Sequence, residues 1–228
     1  MTPDTVVIVT AHNEADRLPA TVQALAGAFP GARILVADDG STDGSAEVAA
    51  AHGAEVVRSE RNVGKGGAAT LAAQRLLSLA DGPEPLPVIL LCDGDLAASA
   101  QALQALVEEV RAGRADLAVA AFARRVGGGF GWALGFARWA IRRRCGFEAR
   151  APISGQRALR AEVLPAVVPF AARFGMEIGM TVDAVRAGFR VGEVELPLAH
   201  RATGKSLRGF LHRGRQLLDF AAVYVSRR

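Results

Sequence analysis

Four short clusters in the first hundred residues combine carboxylates, glycines and bases at spacings that suit cation and anion chemistry. They are Thr10-Ala-His-Asn-Glu14, Asp38-Asp39-Gly-Ser-Thr-Asp43-Gly44, Arg61-Asn-Val-Gly-Lys65-Gly-Gly67 and Asp93-Gly-Asp95. Asp93 and Asp95 are separated by one residue, so in extended backbone they project to the same side, and Gly94 lets the chain turn tightly between them. Carboxylates this close repel unless a cation neutralises them. An all-oxygen pair suits Mg²⁺ or Mn²⁺, which keep water and take substrate phosphates as further ligands. The glycines around Lys65, Gly66 among them, can present backbone N–H groups at a helix start to an anion. Each cluster alone has an ordinary explanation, since Asp-Gly is a common turn and Ser41 and Asp43 are capping residues. Four in succession are hard to explain as turns and caps alone.

The elements that must hold these clusters follow from hydrophobic pattern. Short β-branched runs at 6–10, 34–37, 55–58, 88–92 and 117–122 read as strands. Amphipathic Ala/Leu-rich stretches near 18–28, 45–51, 68–80 and 98–112 read as helices. Continuous apolar strands alternating with helices predict an α/β fold whose mainly parallel central sheet is flanked by helices on both faces. In such sheets ligands bind beyond the carboxyl ends of the strands. Each of the four clusters follows one of the first four predicted strands.

Composition narrows the class. Half of the 228 residues are hydrophobic, which excludes a disordered chain. The net charge is +4, and Lys65 and Lys205 are the only lysines among 27 basic residues. Both lysines follow a glycine. Neither belongs to a nucleoside-triphosphate P-loop: Lys65 is followed by Gly66, and Ala199 stands where the first glycine of the second motif would be. No GxGxxG follows the first strand, which disfavours a nicotinamide dinucleotide fold. Two cysteines, Cys92 and Cys145, make no disulfide framework. No apolar stretch approaches the ~20 residues of a membrane span, and the N-terminus lacks a secretory pattern, so cytoplasmic folding is expected.

The segments VIVTAHNE, ILVADDGSTDGS, RNVGKGGA and ILLCDGDL, in that order, resemble the family 2 glycosyltransferases of the GT-A fold. The later segments ISGQRAL (153–159), FGMEIGMTVDAVRAG (174–188) and HRATGKS (200–206) are similar to two branches of it, the dolichol-phosphate mannosyltransferases and the glucosyl-3-phosphoglycerate synthases. The resemblance implies one GT-A domain over 1–228, with a nucleotide-sugar half at 1–122 and an acceptor half at 123–228. It implies that Thr10, Ala11 and Glu14 cradle the nucleoside, that Asp38 or Asp39 meets the base or ribose, and that Lys65 and Gly66 lie near the nucleotide. Asp93 and Asp95 then anchor Mg²⁺ or Mn²⁺, with His200 as a third ligand and Arg201, Lys205 and Ser206 around phosphates. Glycine between the two acids, where alanine is commoner, loosens that turn.

Moving a sugar from a nucleoside diphosphate leaves a diphosphate with extra negative charge, which a divalent ion with Lys or Arg stabilises. A hydroxyl acceptor also needs a general base, for which Glu177 is the first candidate and Asp183 the second. Six residues apart on one predicted helix, they occupy different faces, so one of them faces the site. A phosphate acceptor, with its second pKa near ~6, needs no base. Residues 122–150 carry seven arginines against Glu148 alone, with Trp132, Phe136 and Trp139 at helical spacing, and the stretch from Ser206 adds five more. A basic aromatic helix is a membrane-interface pattern, and because the polyprenyl-phosphate branch of the resembled family tends to be amphipathic in this region, the resemblance implies a polyprenyl phosphate acceptor at a membrane surface rather than a small soluble hydroxyl acceptor. A core-packing stripe whose arginines face water is the alternative. A nucleotidyltransferase would carry a Gly-rich, Arg-containing loop after the first strand, which is missing. A nucleic-acid partner is disfavoured by acids along the same edge.

Overall fold

The computed structural model describes residues 4–78, 87–122, 132–198 and 219–227. Chain order runs β1 (Thr5–Ala11), α1 (Leu18–Ala28), β2 (Arg33–Asp38), α2 (Ser45–Ala51), β3 (Glu55–Arg58), α3 (Lys65–Leu77) and β4 (Val88–Asp93). A 3₁₀ turn at Ala97–Leu103 leads into α4 (Gln104–Arg111), followed by β5 (Leu117–Phe122) and α5 (Trp132–Cys145). Then come β6 (Arg157–Arg160), α6 (Leu164–Val167), α7 (Met176–Arg186), β7 (Val191–Leu196) and a last helix, α8, at 219–226.

The seven strands form one sheet in the order β3-β2-β1-β4-β6-β5-β7. Strand side chains alternate between its faces. Val7, Val9, Leu90 and Cys92 pack with α1 and α4, whereas Ile8, Ile89 and Leu91 pack with α3, α6 and α7. Coverage on both sides is why these strands are apolar throughout rather than alternating. A third cluster joins Ala137 and Ile141 of α5, Ile178 and Val182 of α7, and Phe220 and Val223 of α8.

The sheet is mainly parallel, as expected; β6 runs antiparallel between β4 and β5, and neither β6 nor β7 has the apolar run that marks the other strands. Two expectations are corrected. The helix expected at 68–80 starts at Lys65, because the glycines there lie in its first turn. The helix expected at 98–112 is a 3₁₀ turn followed by a shorter α-helix. Among the described residues no helix is long and apolar enough to cross a membrane.

Candidate active site

Register places the chemistry. In parallel pairing Thr10 of β1 faces Asp93 of β4, Ala11 faces Asp38 of β2, and Asp38 faces Arg58 of β3. All lie at the carboxyl edge of the sheet. Because β6 is antiparallel, its amino end reaches that same edge, and Gln156 arrives beside Asp93.

Asp93 is held from three directions. The Thr10 hydroxyl donates to Oδ1 at 3.2 Å, Gln156 Nε2 donates to Oδ2 at 2.8 Å, and the Lys65 ammonium lies 2.6 Å from Oδ1. Lys65 Nζ also donates to Glu177 Oε1 at 2.8 Å, so the first residue of α3 bridges the end of β4 and the start of α7. Burial works against charge on both Lys65 and Asp93. Their mutual attraction, with Glu177 and the hydrogen bonds to Asp93, outweighs it, holding the ammonium above its ordinary pKa and the Asp93 carboxyl below. Gly155 closes over this pair: a Cβ there would collide with Lys65 Nζ and stand 2.8 Å from Asp93 Oδ2. The neighbouring Cys92 thiol is pushed up by burial and by the Asp93 carboxylate, so it stays a neutral core thiol.

The loops after β1 and β2 are sewn together. Ser41 Oγ accepts from Asn13 N–H at 2.9 Å, Ser45 Oγ from Glu14 N–H at 2.9 Å, and Asp43 Oδ2 from Ala15 N–H at 3.0 Å. Ser41 and Asp43 therefore tie one loop to another. Asp43 also accepts from the hydroxyl and the N–H of Ser45, the first residue of α2, so it serves the start of that helix as well; these bonds outweigh burial and hold its carboxyl below the ordinary range.

Asp38 and Asp39 are both buried. Asp39 accepts from the N–H groups of Val63 (2.6 Å) and Gly64 (2.9 Å), and its own N–H donates to the Ala11 carbonyl. The glycine-rich loop thus holds an anion, and that anion is Asp39. Asp38 Oδ1 accepts from Ser41 N–H at 3.3 Å, while Oδ2 lies 3.2 Å from Arg58 Nε without forming a hydrogen bond. Gly66, expected to face the nucleotide, is packed against the Ala171 carbonyl, where any Cβ would clash. Its glycine is required by helix packing. Gly40 likewise needs its positive φ of 66° and the absence of a side chain, since a Cβ would meet the Arg61 backbone at 2.7 Å. Gly94 has no positive φ. A Cβ there would sit 3.2 Å from Leu18 and 3.3 Å from the Thr10 carbonyl, so close approach to β1 accounts for glycine, not the turn.

Asp95 follows in the turn, half-buried, with its carbonyl near Arg17 Nη1 at 3.4 Å; Glu14 is also half-buried. Glu177 and Asp183 lie on different faces of α7. Glu177 points to Lys65, while Asp183 pairs with Arg227 of the C-terminal segment at 2.9 Å. With its Oε1 engaged by Lys65 at 2.8 Å, Glu177, the residue expected as general base, is that lysine's counter-ion in this structure. His200, Arg201, Lys205 and Ser206 lie outside the described residues.

Sequence reasoning passed over Gln156 and Arg157 as site residues. Arg157 is wholly buried behind Glu177, donating to the Ser154 carbonyl and to Thr181 Oγ1, both at 2.9 Å; burial lowers its pKa to about 10. A charged pair in a strand of four residues was the available signal.

On α5 the buried face is Ala137, Ala140 and Ile141. The aromatic stripe lies beside it: Trp139 is 49% exposed and stacks on Tyr224 of α8 at 4.8 Å between centroids, with Phe136 5.5 Å from Trp139. Arg144 covers the Tyr224 ring at 3.7 Å, and Arg138, Arg142 and Arg143 are exposed. Trp139 therefore lies outside the core, whereas Phe136 is partly buried against the α5–α7–α8 cluster.

Residues 6–171 match the model of glycosyl transferase family 2. An uncharacterized glycosyltransferase of Mycobacterium tuberculosis is 32% identical over 95% of this chain and 96% of its own. The undecaprenyl-phosphate mannosyltransferase of Micrococcus luteus is 32% identical over 87% of this chain and 85% of its own. Among solved structures, glucosyl-3-phosphoglycerate synthase from M. tuberculosis in complex with phosphoglyceric acid superposes with a TM-score of 0.76 at 25% identity, covering 99% of this chain and 80% of that one. Its complex with Mn²⁺, UDP and glucosyl-3-phosphoglycerate gives 0.75 at 26% identity, with the same coverage. The sheet, the edge cluster and the relatives converge: the chain belongs to glycosyl transferase family 2 and is a glycosyltransferase of the GT-A fold.

Proposed function

We propose that this enzyme moves a hexose from a nucleoside-diphosphate sugar, with Mg²⁺ or Mn²⁺, to a polyprenyl phosphate at a membrane surface. The observation that carries the acceptor class is the engagement of Glu177 by Lys65 at 2.8 Å. A hydroxyl acceptor needs a base within ~3 Å that can take its proton. A phosphate acceptor arrives already ionised and needs none, which suits a carboxylate already spent on a lysine. The relative named undecaprenyl-phosphate mannosyltransferase supports the same class. A second reading, a small phosphorylated hydroxyl acceptor, is favoured by the likeness to glucosyl-3-phosphoglycerate synthase with phosphoglyceric acid.

The donor set fits a divalent ion. Asp93 is fixed by Thr10 and Gln156 and already carries a cation, the Lys65 ammonium. Among the described residues no third acid, histidine or cysteine joins a metal-holding group, but two carboxylates and diphosphate oxygens suffice for these ions. Asp93 and Asp95 would hold the ion, His200 completing the set by family resemblance. When bound, it supplies charge against the departing diphosphate. The protein's own residues do the rest. Thr10 and Gln156 orient Asp93, Lys65 adds positive charge, and Arg201 and Lys205 are assigned to phosphates. Thr10, Ala11, Glu14 and Asp38 border the nucleoside.

The test is transfer of labelled sugar from UDP- and GDP-hexoses, with Mn²⁺, to undecaprenyl phosphate or to 3-phosphoglycerate. Label should enter the organic phase, EDTA should abolish transfer, and Glu177→Gln should cost less than about tenfold, against the 10²–10⁴ typical of a lost general base. Label confined to the soluble acceptor, with an inactive Glu177→Gln, would establish the second reading instead.

A further inference from the structure

Lys65 rests its ammonium on the same Asp93 carboxylate to which the metal ion is assigned above. Its ammonium touches Asp93 Oδ1 at 2.6 Å and Glu177 Oε1 at 2.8 Å, in a pocket that Gly155 closes and where the lysine side chain is 22% exposed. A divalent ion binds carboxylate oxygen at about 2.1 Å. An ammonium and such an ion sharing the Asp93 carboxylate would stand within about 5 Å of each other, like charges in a setting that screens them poorly. Thr10 and Gln156 hold one Asp93 oxygen each independently of Lys65, so one cation can replace the other while the carboxylate keeps its place. Glu177, on a different element, offers the ammonium a second anchor away from Asp93.

We infer that Lys65 is a resident counter-cation which excludes the metal from Asp93 until a donor diphosphate gives the ammonium a new anionic partner. Metal loading is thereby coupled to donor binding: the ion enters as Lys65 swings from Asp93 to the diphosphate. This inference rests on the metal reading of Asp93 given above. It makes Lys65 a determinant of metal affinity as well as a charge for the leaving group, and its effect on the free protein is the reverse of its effect in the complex. Lysine fits this exchange better than arginine, because a compact charge on a flexible stem can change partners, whereas a planar guanidinium fork is fixed by its geometry.

Mn²⁺ binding followed by electron paramagnetic resonance, without nucleotide, tests it directly. Lys65→Met should bind Mn²⁺ at least tenfold tighter than the wild type, and Lys65→Arg, which keeps a cation, no tighter. Equal or weaker binding by a folded Lys65→Met overturns the exchange while leaving the metal reading intact. If neither protein binds Mn²⁺, even with UDP or GDP, both fall. A wild-type measurement guards against a variant that does not fold. With only two lysines in the chain, the ¹⁵N ammonium spectrum has two signals, assigned through Lys205→Arg. Mg²⁺ should shift the Lys65 signal when UDP or GDP is present and leave it in place when Mg²⁺ is added alone. A Lys65 signal unmoved by Mg²⁺ with a saturating nucleoside diphosphate contradicts the exchange.

Discussion

Asp39, expected by resemblance at the nucleoside, also has a structural post. A carboxylate after a buried strand in a glycine-rich setting marks a site, and in this fold it helps to build one. Its oxygens accept three amide contacts from Val63 and Gly64, in effect an intramolecular anion in a glycine-rich nest. Hydrogen bonds to a charged acceptor contribute about 1.5–3 kcal/mol each when buried. Asp39→Ala should therefore lower unfolding free energy by about 2–4 kcal/mol in a denaturant titration. Unchanged stability with lost nucleotide binding would return Asp39 to the ligand-contacting role. The neighbouring Asp38 differs because its partner across the strand is Arg58, a side chain 47% exposed. Spacing alone cannot separate two adjacent acids; the partner on the next strand does.

At the level of elements, the parallel half of the sheet was legible because each strand is a run of apolar residues followed by a polar cluster. The antiparallel β6 was not. Its sequence, Arg-Ala-Leu-Arg, buries one arginine on Thr181 and exposes the other, so no hydrophobic pattern survives. The residues leading into that strand, Gly155 and Gln156, lie against Asp93, so part of the surroundings of the key carboxylate came from an element without a pattern. The far edge of the sheet shows a second device of this kind. Asp116, just before β5, is held by Arg190 through side-chain and backbone donors and by Arg160 at the end of β6, joining three strands. The Arg190 bonds keep its carboxyl below the ordinary value of 3.8. A depressed carboxyl contributes stability that is complete above its unfolded pKa and is lost as pH falls through the folded one. Asp116→Asn should therefore destabilise the protein by about 1–2 kcal/mol at pH 7, and the gap should narrow as pH falls below the ordinary carboxyl value of 3.8 and vanish below the lowered one. A gap that persists at pH 2 would show that shape, not charge, joins the strands.

At the scale of the whole molecule, two charged regions among the described residues have different neighbours. At the carboxyl edge of the sheet, acids and bases are mutually paired within the site. On the α5–α8 face, by contrast, exposed arginines flank aromatic rings: Trp139 is half in solvent and stacked on Tyr224, while Val225 is 54% exposed beside it. Aromatic residues in a basic setting favour the interface of an anionic bilayer, where rings sit at headgroup depth and each arginine near the surface contributes about 1 kcal/mol. If the acceptor is a polyprenyl phosphate, the enzyme must meet it at such an interface, and this face is the best suited among the described residues. Co-sedimentation with vesicles containing anionic lipid should retain the wild type at low salt and release it progressively as salt rises. Trp139→Ala should weaken binding by about one order of magnitude, and Arg142→Glu with Arg143→Glu should abolish it. Both variants should keep wild-type transfer to a short-chain, detergent-dispersed polyprenyl phosphate, because Trp139, Arg142 and Arg143 are exposed on α5 and hold neither Asp93 nor Lys65, whose partners are Thr10, Gln156 and Glu177. A wild type that ignores anionic vesicles yet transfers sugar efficiently to a soluble acceptor would refute the membrane assignment. The exposed aromatic stripe would then call for a protein partner in place of a lipid surface.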